Sequence, residues 1–166
     1  EDCNPVKNSN DALDFIRKND GDKPFLLTVS YFDPHPPYMA PARVTSKYCA
    51  ADIVLPEYIN PENLGERIND QQKALRYDKQ NEYELKETMR YYYAAIEWGV
   101  DEQVGKIIEA LEQKGIDDNT IIVFTSDHGD FMGELNMVRK GMFMYDALMH
   151  VPMIWYAPGN IKKGLK

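Results

Sequence analysis

Two of the three histidines stand where an apolar run gives way to a loop. His35 lies in Asp33-Pro34-His35-Pro36-Pro37-Tyr38, and His128 lies in Asp127-His128-Gly129-Asp130. Loops at the carboxyl ends of strands are where open α/β sheets hold their ligands. Asp127 beside His128 offers a carboxylate oxygen and an imidazole nitrogen, two donor types that a divalent cation accepts. Two ligands do not complete a metal site, so the rest would have to come from elsewhere in the fold. The plainer alternative is an Asp that caps the loop next to a His satisfied by backbone. Arg139-Lys140-Gly141 follows a short loop later, and an anion bound near a cation would want a fixed positive charge there. Most Arg-Lys pairs are only solvated surface. His35 on its own is more often a packing residue, and His150, between Met149 and Val151, keeps that plainer reading.

The elements that must position these residues follow from periodicity. Apolar Ala12, Leu13, Phe15 and Ile16 predict a short helix over 9–19 with a Ser or Asn cap, closed by a turn at Asn19-Asp20-Gly21-Asp22. Pro24 to Phe32 is a nearly continuous β-branched and aromatic run, the pattern of a strand buried on both faces. Three prolines then forbid regular structure around His35. Residues 39–80 predict an irregular excursion with one short helix near 67–77, of a length that often carries function. Met89, Tyr92, Tyr93, Ile96, Val100, Val104, Ile107, Ile108 and Leu111 recur at helical spacing and predict a long helix over 82–114, with Gly115 as its stop. Its Glu84, Glu87 and Glu97 read as the solvated side, and Tyr91 to Tyr93 and Trp98 as packing. Strands are predicted at 119–126, ending on Asp127, and at 151–156. Strands alternating with helices predict a layered α/β sheet.

The chain has 166 residues, enough for one core of ordinary size. With 43% hydrophobic and 28% charged residues it is a globular composition. The net charge of −8, from 19 basic and 27 acidic side chains, is the wrong sign for gripping nucleic acid. No stretch approaches the ~20 apolar residues of a membrane helix. Cys3 and Cys49 are too few for a disulfide framework and have no metal-type spacing. Glu1-Asp2-Cys3-Asn4-Pro5 is neither an initiator methionine nor a signal peptide, so the chain reads as cut from something longer. Periplasmic, secreted and cytoplasmic settings all stay open.

Five stretches in one order resemble the sulfatase family, a branch of the alkaline phosphatase superfamily. They are Pro-Phe-Leu-Leu-Thr-Val-Ser-Tyr-Phe-Asp-Pro-His-Pro-Pro-Tyr from Pro24, Tyr-Tyr-Ala-Ala-Ile-Glu-Trp-Gly-Val-Asp-Glu-Gln-Val-Gly-Lys-Ile from Tyr92, Asp-Asn-Thr-Ile-Ile-Val-Phe-Thr-Ser-Asp-His-Gly-Asp from Asp118, Arg-Lys-Gly-Met-Phe-Met-Tyr-Asp from Arg139 and His-Val-Pro-Met-Ile from His150. The resemblance runs from about Lys23 to Gly164, and Arg43 to Asn81 matches least. It implies an alkaline phosphatase-like layered α/β sheet, here a partial domain. Residues 1–166 would be part of a sulfatase-like catalytic domain, without its amino-terminal metal and formylglycine segment or its carboxyl-terminal remainder.

By resemblance, Asp127 and His128 form the second half of a divalent metal site, His35 contacts the sulfate and the leaving oxygen, and Lys140 holds the sulfate or helps protonate the leaving group. The implied substrate is a sulfate ester and the favoured cation Ca²⁺, with Mn²⁺ and Zn²⁺ open because of the imidazole. The family's nucleophile is a formylglycine made in a Cys/Ser-x-Pro/Ala-x-Arg motif. Neither Cys3 nor Cys49 has that context, so the nucleophile, like the paired aspartates that open the metal site, belongs to the remainder of the parent catalytic domain. The implied chemistry is attack by a hydrated aldehyde on sulfur, with Lys140 and the metal stabilising the sulfuryl oxygens and His35 protonating the departing alcohol. Leu135 stands where many members have His, and His150 where Arg commonly precedes Val-Pro. A phosphonate monoester or phosphodiester hydrolase of the same superfamily is the enzyme alternative. A catalytically inactive structural fragment is the expectation for the isolated chain.

Overall fold

The computed structural model describes residues 4–59, 62, 70, 73–75, 81–159, 161 and 164. The chain divides into two compact units, Glu1–Tyr48 with Tyr91–Ile122 and Trp155–Lys166, and Cys49–Arg90 with Val123–Ile154. Each unit has its own apolar cluster, where composition predicted a single core.

In the first unit α1 spans Pro5–Lys18. It begins earlier than the predicted 9–19 because Asn4 is the cap, its side chain accepting from the backbone of Val6 at 2.9 Å and Lys7 at 3.4 Å. Pro5 sits in the first turn, where a missing N–H costs nothing. Ser9 lies inside the helix and is buried, donating to or accepting from Tyr31 Oη at 2.9 Å. Leu13 and Ile16 pack against Ala110 and Leu111 of α4, Glu102–Lys114, with Phe25, Leu27 and Ile107 around them. Each such side chain contributes about 1.5–3 kcal/mol by leaving water. Lys114 Nζ donates to the carbonyls of Ile16 at 2.6 Å, Arg17 at 3.1 Å and Asn19, so the orphan carbonyls at the end of α1 are capped by a cation. Gly115 closes α4 at φ 70°, with Ile116 N–H donating to Leu111 O at 3.1 Å.

The predicted helix over 82–114 is one helical run in three parts: α3 Glu82–Ile96, a π-turn Glu97–Asp101 and α4. Buried Gln103 donates from Nε2 to the Trp98 carbonyl at 2.8 Å, satisfying a group the wider turn displaces. Glu97 is not solvated as its helical position suggested. Lys47 Nζ and Tyr48 Oη, the latter at 2.7 Å, both donate to it from just beyond α2, Ala42–Thr45. These bonds hold the Glu97 carboxyl below its usual range and help push the Tyr48 phenol up to about 12. Arg43 makes a two-armed ion pair with Glu102 at 2.6 and 2.7 Å. Tyr92 meets Tyr38 edge to face and Tyr93 stacks on Tyr48, in keeping with a packing role.

Residues 24–32 form no strand ladder. Phe25, Leu27, Val29 and Tyr31 are half-buried while Leu26 is 94% exposed, so only one face is covered and the expectation of burial on both is not met. A ladder needs a neighbouring chain on which to close its N–H and C=O groups, and none of the described residues supplies it. The strand predicted at 119–126 is shortened to β1, Ile122–Thr125, because Asp117–Asn119 winds as a 3₁₀ turn. β1 pairs with β4, Met153–Tyr156, the strand predicted at 151–156. Of the short helix expected near 67–77, residues 70 and 73–75 are helical and the others lie outside the described residues.

The second unit contains a hairpin that periodicity did not predict. β2, Phe131–Met132, runs antiparallel to β3, Val138–Arg139, with Phe131 opposite Arg139 and Met132 opposite Val138. Phe131, Met137 and Leu148 of α5, Asp146–Met149, form its cluster, walled by Phe143 and Tyr145.

Candidate active site

Asp127 and His128 follow β1 after Ser126, as their motif predicted. His128 Nδ1 lies 2.9 Å from the Gly129 carbonyl. A carbonyl only accepts, so Nδ1 carries the proton and the lone pair of a neutral ring is on Nε2. That nitrogen lies 3.6 Å from Asp127 Oδ2. The other carboxylate oxygen accepts from the His128 N–H at 2.9 Å. Ser126 Oγ donates to the His128 carbonyl at 3.0 Å. One imidazole nitrogen and one carboxylate oxygen are thereby turned toward each other, a spacing a cation could share. Burial raises the Asp127 pKa, yet the His128 N–H, the positive charge of the His128 ring when protonated and, least, the Lys140 charge outweigh it and hold the carboxyl below its usual range. It is an anion at neutral pH and stays one well into acid.

Three of the four predicted residues, Asp127, His128 and Lys140, fall in the second unit, and the Lys140 charge is the smallest of the influences on Asp127. Lys140 is half-buried and directly follows β3. His150, exposed at the end of α5, remains outside this group. Among the described residues no group of three or more His, Cys, Asp and Glu is placed to hold a metal, and Asp127 with His128 offers two donors only.

His35 belongs to the first unit. Its backbone N–H donates to the Phe32 carbonyl at 2.9 Å, its ring lies 4.3 Å from that of Phe32, and its Nδ1 donates to the Pro36 carbonyl at 2.8 Å. The lone pair of the neutral ring is again on Nε2. Asp33, half-buried and with its pKa raised by desolvation, presses on the π-turn at Gly99, where a Cβ would come 2.6 Å from the Asp33 Cγ.

Motif reasoning singled out Asp127 and His128 but missed what seats them. The Gly129 N–H donates to the Leu148 carbonyl at 2.8 Å, and a Cβ on Gly129 would stand 2.1 Å from the Ala147 carbonyl oxygen. That contact is with backbone and cannot swing away. Gly129→Ala is therefore expected to lift the loop from α5, at about 2–4 kcal/mol from overpacking and the lost bond. Denaturant unfolding of the full-length protein together with cation titration would measure it. An unchanged midpoint with unchanged cation affinity would mean that the contact is not what seats the loop.

The sulfatase family model matches residues 3–166. The chain belongs to the sulfatase family. This sulfatase-family chain is 37% identical over 163 residues to an arylsulfatase of Clostridium perfringens, covering 95% of itself and 32% of that protein. Among solved structures it resembles YidJ from Bacteroides fragilis, with 36% identity and TM-score 0.72 over 96% of this chain and 32% of that one. It also resembles a phosphonate monoester hydrolase of Agrobacterium radiobacter, with 26% identity and TM-score 0.71 over 91% and 32%. The expected fold class is thereby met: helices and short strands of an alkaline phosphatase-like α/β domain. The chain spans about a third of the length of these relatives.

Proposed function

We propose that the whole protein hydrolyses a sulfate ester at a divalent cation, and that this chain supplies part of the cation site, the anion-holding lysine and the proton donor. The observation that carries the reading is the Asp127-His128 pair, with Nε2 and a carboxylate oxygen 3.6 Å apart, inside a match to sulfatases. Asp127 and His128 would hold the cation. Ca²⁺ is the proposed ion, with Mn²⁺ and Zn²⁺ as competitors for the imidazole. A bound cation would supply Lewis-acid polarisation of the ester oxygens.

The chain's own residues act on the charges that move. Lys140 places an ammonium against the sulfuryl oxygens, where negative charge grows in the transition state. His35, with Nδ1–H anchored on Pro36, would act as its imidazolium form, both ring nitrogens protonated, giving the Nε2 proton to the leaving oxygen and ending as the neutral ring. The nucleophile, a formylglycine by resemblance, would come from another segment, and residues 1–166 alone would then turn over no aryl sulfate. The likeness to a phosphonate monoester hydrolase favours a second reading, phosphonate or phosphodiester hydrolysis, since a tetrahedral oxyanion presents similar oxygens to the same groups. Among the described residues no helix is long and apolar enough to cross a membrane.

The test is the ratio of sulfate-ester to phosphonate-ester turnover by the full-length protein in Ca²⁺, Mn²⁺ or Zn²⁺. Sulfate turnover greatest in Ca²⁺ is expected, and a ratio below one would move the assignment to the second reading. His128→Asn replaces nitrogen by an oxygen donor. Activity with Ca²⁺ should survive while any response to Mn²⁺ or Zn²⁺ falls, and loss with every cation would show that the imidazole cannot be replaced.

A further inference from the structure

The β2–β3 hairpin that delivers Lys140 has two residue pairs, too few to fix its own orientation. Its tip carries left-handed backbone at Gly133, Leu135 and Asn136, with φ 109°, 53° and 56°. Asn is among the few side chains that adopt this conformation readily. Asn136 is also wholly buried, where an amide without partners would be costly. Its Oδ1 accepts from the Ile59 N–H at 3.0 Å, and its Nδ2 donates to the Ile59 carbonyl. One side chain thus engages both backbone groups of a residue 77 positions away, as a neighbouring strand would. The same strip of chain approaches the tip again, since a Cβ on Gly133 would stand 3.3 Å from Pro56, and α3 approaches it from Leu85 at 3.0 Å.

We propose that Asn136 is a positioning residue for Lys140: by clasping Ile59 it locks the hairpin tip onto the strip 56–59 and so fixes where β3 releases the lysine. The inference rests on the role given to Lys140 above. Asn136 touches no reacting atom. Arg139, at φ 66°, leaves β3 through another left-handed residue immediately before Lys140, so any rocking of the two-rung ladder passes straight to the ammonium.

Asn136→Gly keeps the left-handed backbone and removes the amide. In the full-length protein, hydrogen exchange at the Ile59 amide should rise about tenfold, the scale of one hydrogen bond. The kcat/KM for aryl sulfates should fall about tenfold, with inhibition by free sulfate weakened by a similar factor. In a Lys140→Ala background the same change should cost less than about twofold, because coupled positions are not additive. Asn136→Asp serves as a second variant. Its ionised carboxylate still accepts from the Ile59 N–H but opposes the Ile59 carbonyl, whereas its protonated form donates again, so its deficit should shrink as pH falls. Unchanged Ile59 exchange in both variants overturns the clasp. Losses that multiply fully with Lys140→Ala overturn the positioning role. If Lys140→Ala alone costs nothing, the role of the lysine in catalysis falls, and the clasp is then decided by the Ile59 exchange alone.

Discussion

Replacing Lys140 by Ala in the full-length protein is expected to lower kcat/KM for every aryl sulfate by a similar factor, about 10² to 10³, the range for removing one preorganised donor from a developing anion. The uniformity matters more than the size. Charge on the sulfuryl oxygens does not depend strongly on which phenol departs, so the dependence on phenol pKa should keep the wild-type slope. Free sulfate should inhibit the variant less, since it presents the same oxygens. The Lys140 charge is the smallest of the influences that depress the Asp127 pKa, so its loss should ease protonation of that carboxylate slightly, and cation binding should fail at slightly higher pH than in wild type. A slope that steepens in Lys140→Ala alone would give the proton-donor role to the lysine instead.

His35→Ala should show the opposite signature. A general acid is worth about 10² to 10⁴ where the leaving oxygen needs a proton, and little where it does not. Esters of weakly acidic alcohols should lose most of their turnover, and activated aryl esters should lose least. Pro36 accepts the Nδ1 proton and Phe32 backs the ring, so the geometry leaves Nε2 to carry the exchange. His35→Gln, which keeps a hydrogen-bond donor without acid–base chemistry, should not restore the slow esters. Equal slopes for His35→Ala and wild type would remove His35 from the acid role.

Legibility in the sequence tracks how local the cause is. The stripe of α1, the stop at Gly115 and the loop start at Asp127 are written in neighbours three or four residues apart, and all three stand in the structure. The Pro24 to Phe32 run had strand composition, but a strand is completed by a partner, and composition does not say whether one is at hand. Glu97 looked solvated because its ligands, Lys47 and Tyr48, lie about fifty positions upstream. The hairpin escaped notice because two-residue strands show no period and its left-handed tip uses Leu135 and Asn136 beside Gly133. For the site, motif order singled out His35, Asp127, His128 and Lys140, whereas Gly129 and Asn136 owe their importance to backbone carbonyls that no local pattern reveals.

The π-turn at Glu97–Asp101 makes residue count as consequential as residue identity. A helix advances about 100° per residue, and a π-turn accommodates one more residue than an α-turn would. Winding the same five residues as ordinary α-helix, with none removed, would swing every later side chain by about that angle. Ala110 and Leu111 would leave the face of Leu13 and Ile16, and Lys114 would lose the end of α1. Removing one residue would instead let α-helix form with the later side chains still in phase. A substitution along Glu97–Asp101 that straightens the turn without shortening the chain therefore resets the phase of the whole helix beyond it, while loss of one residue there is the change the later helix tolerates.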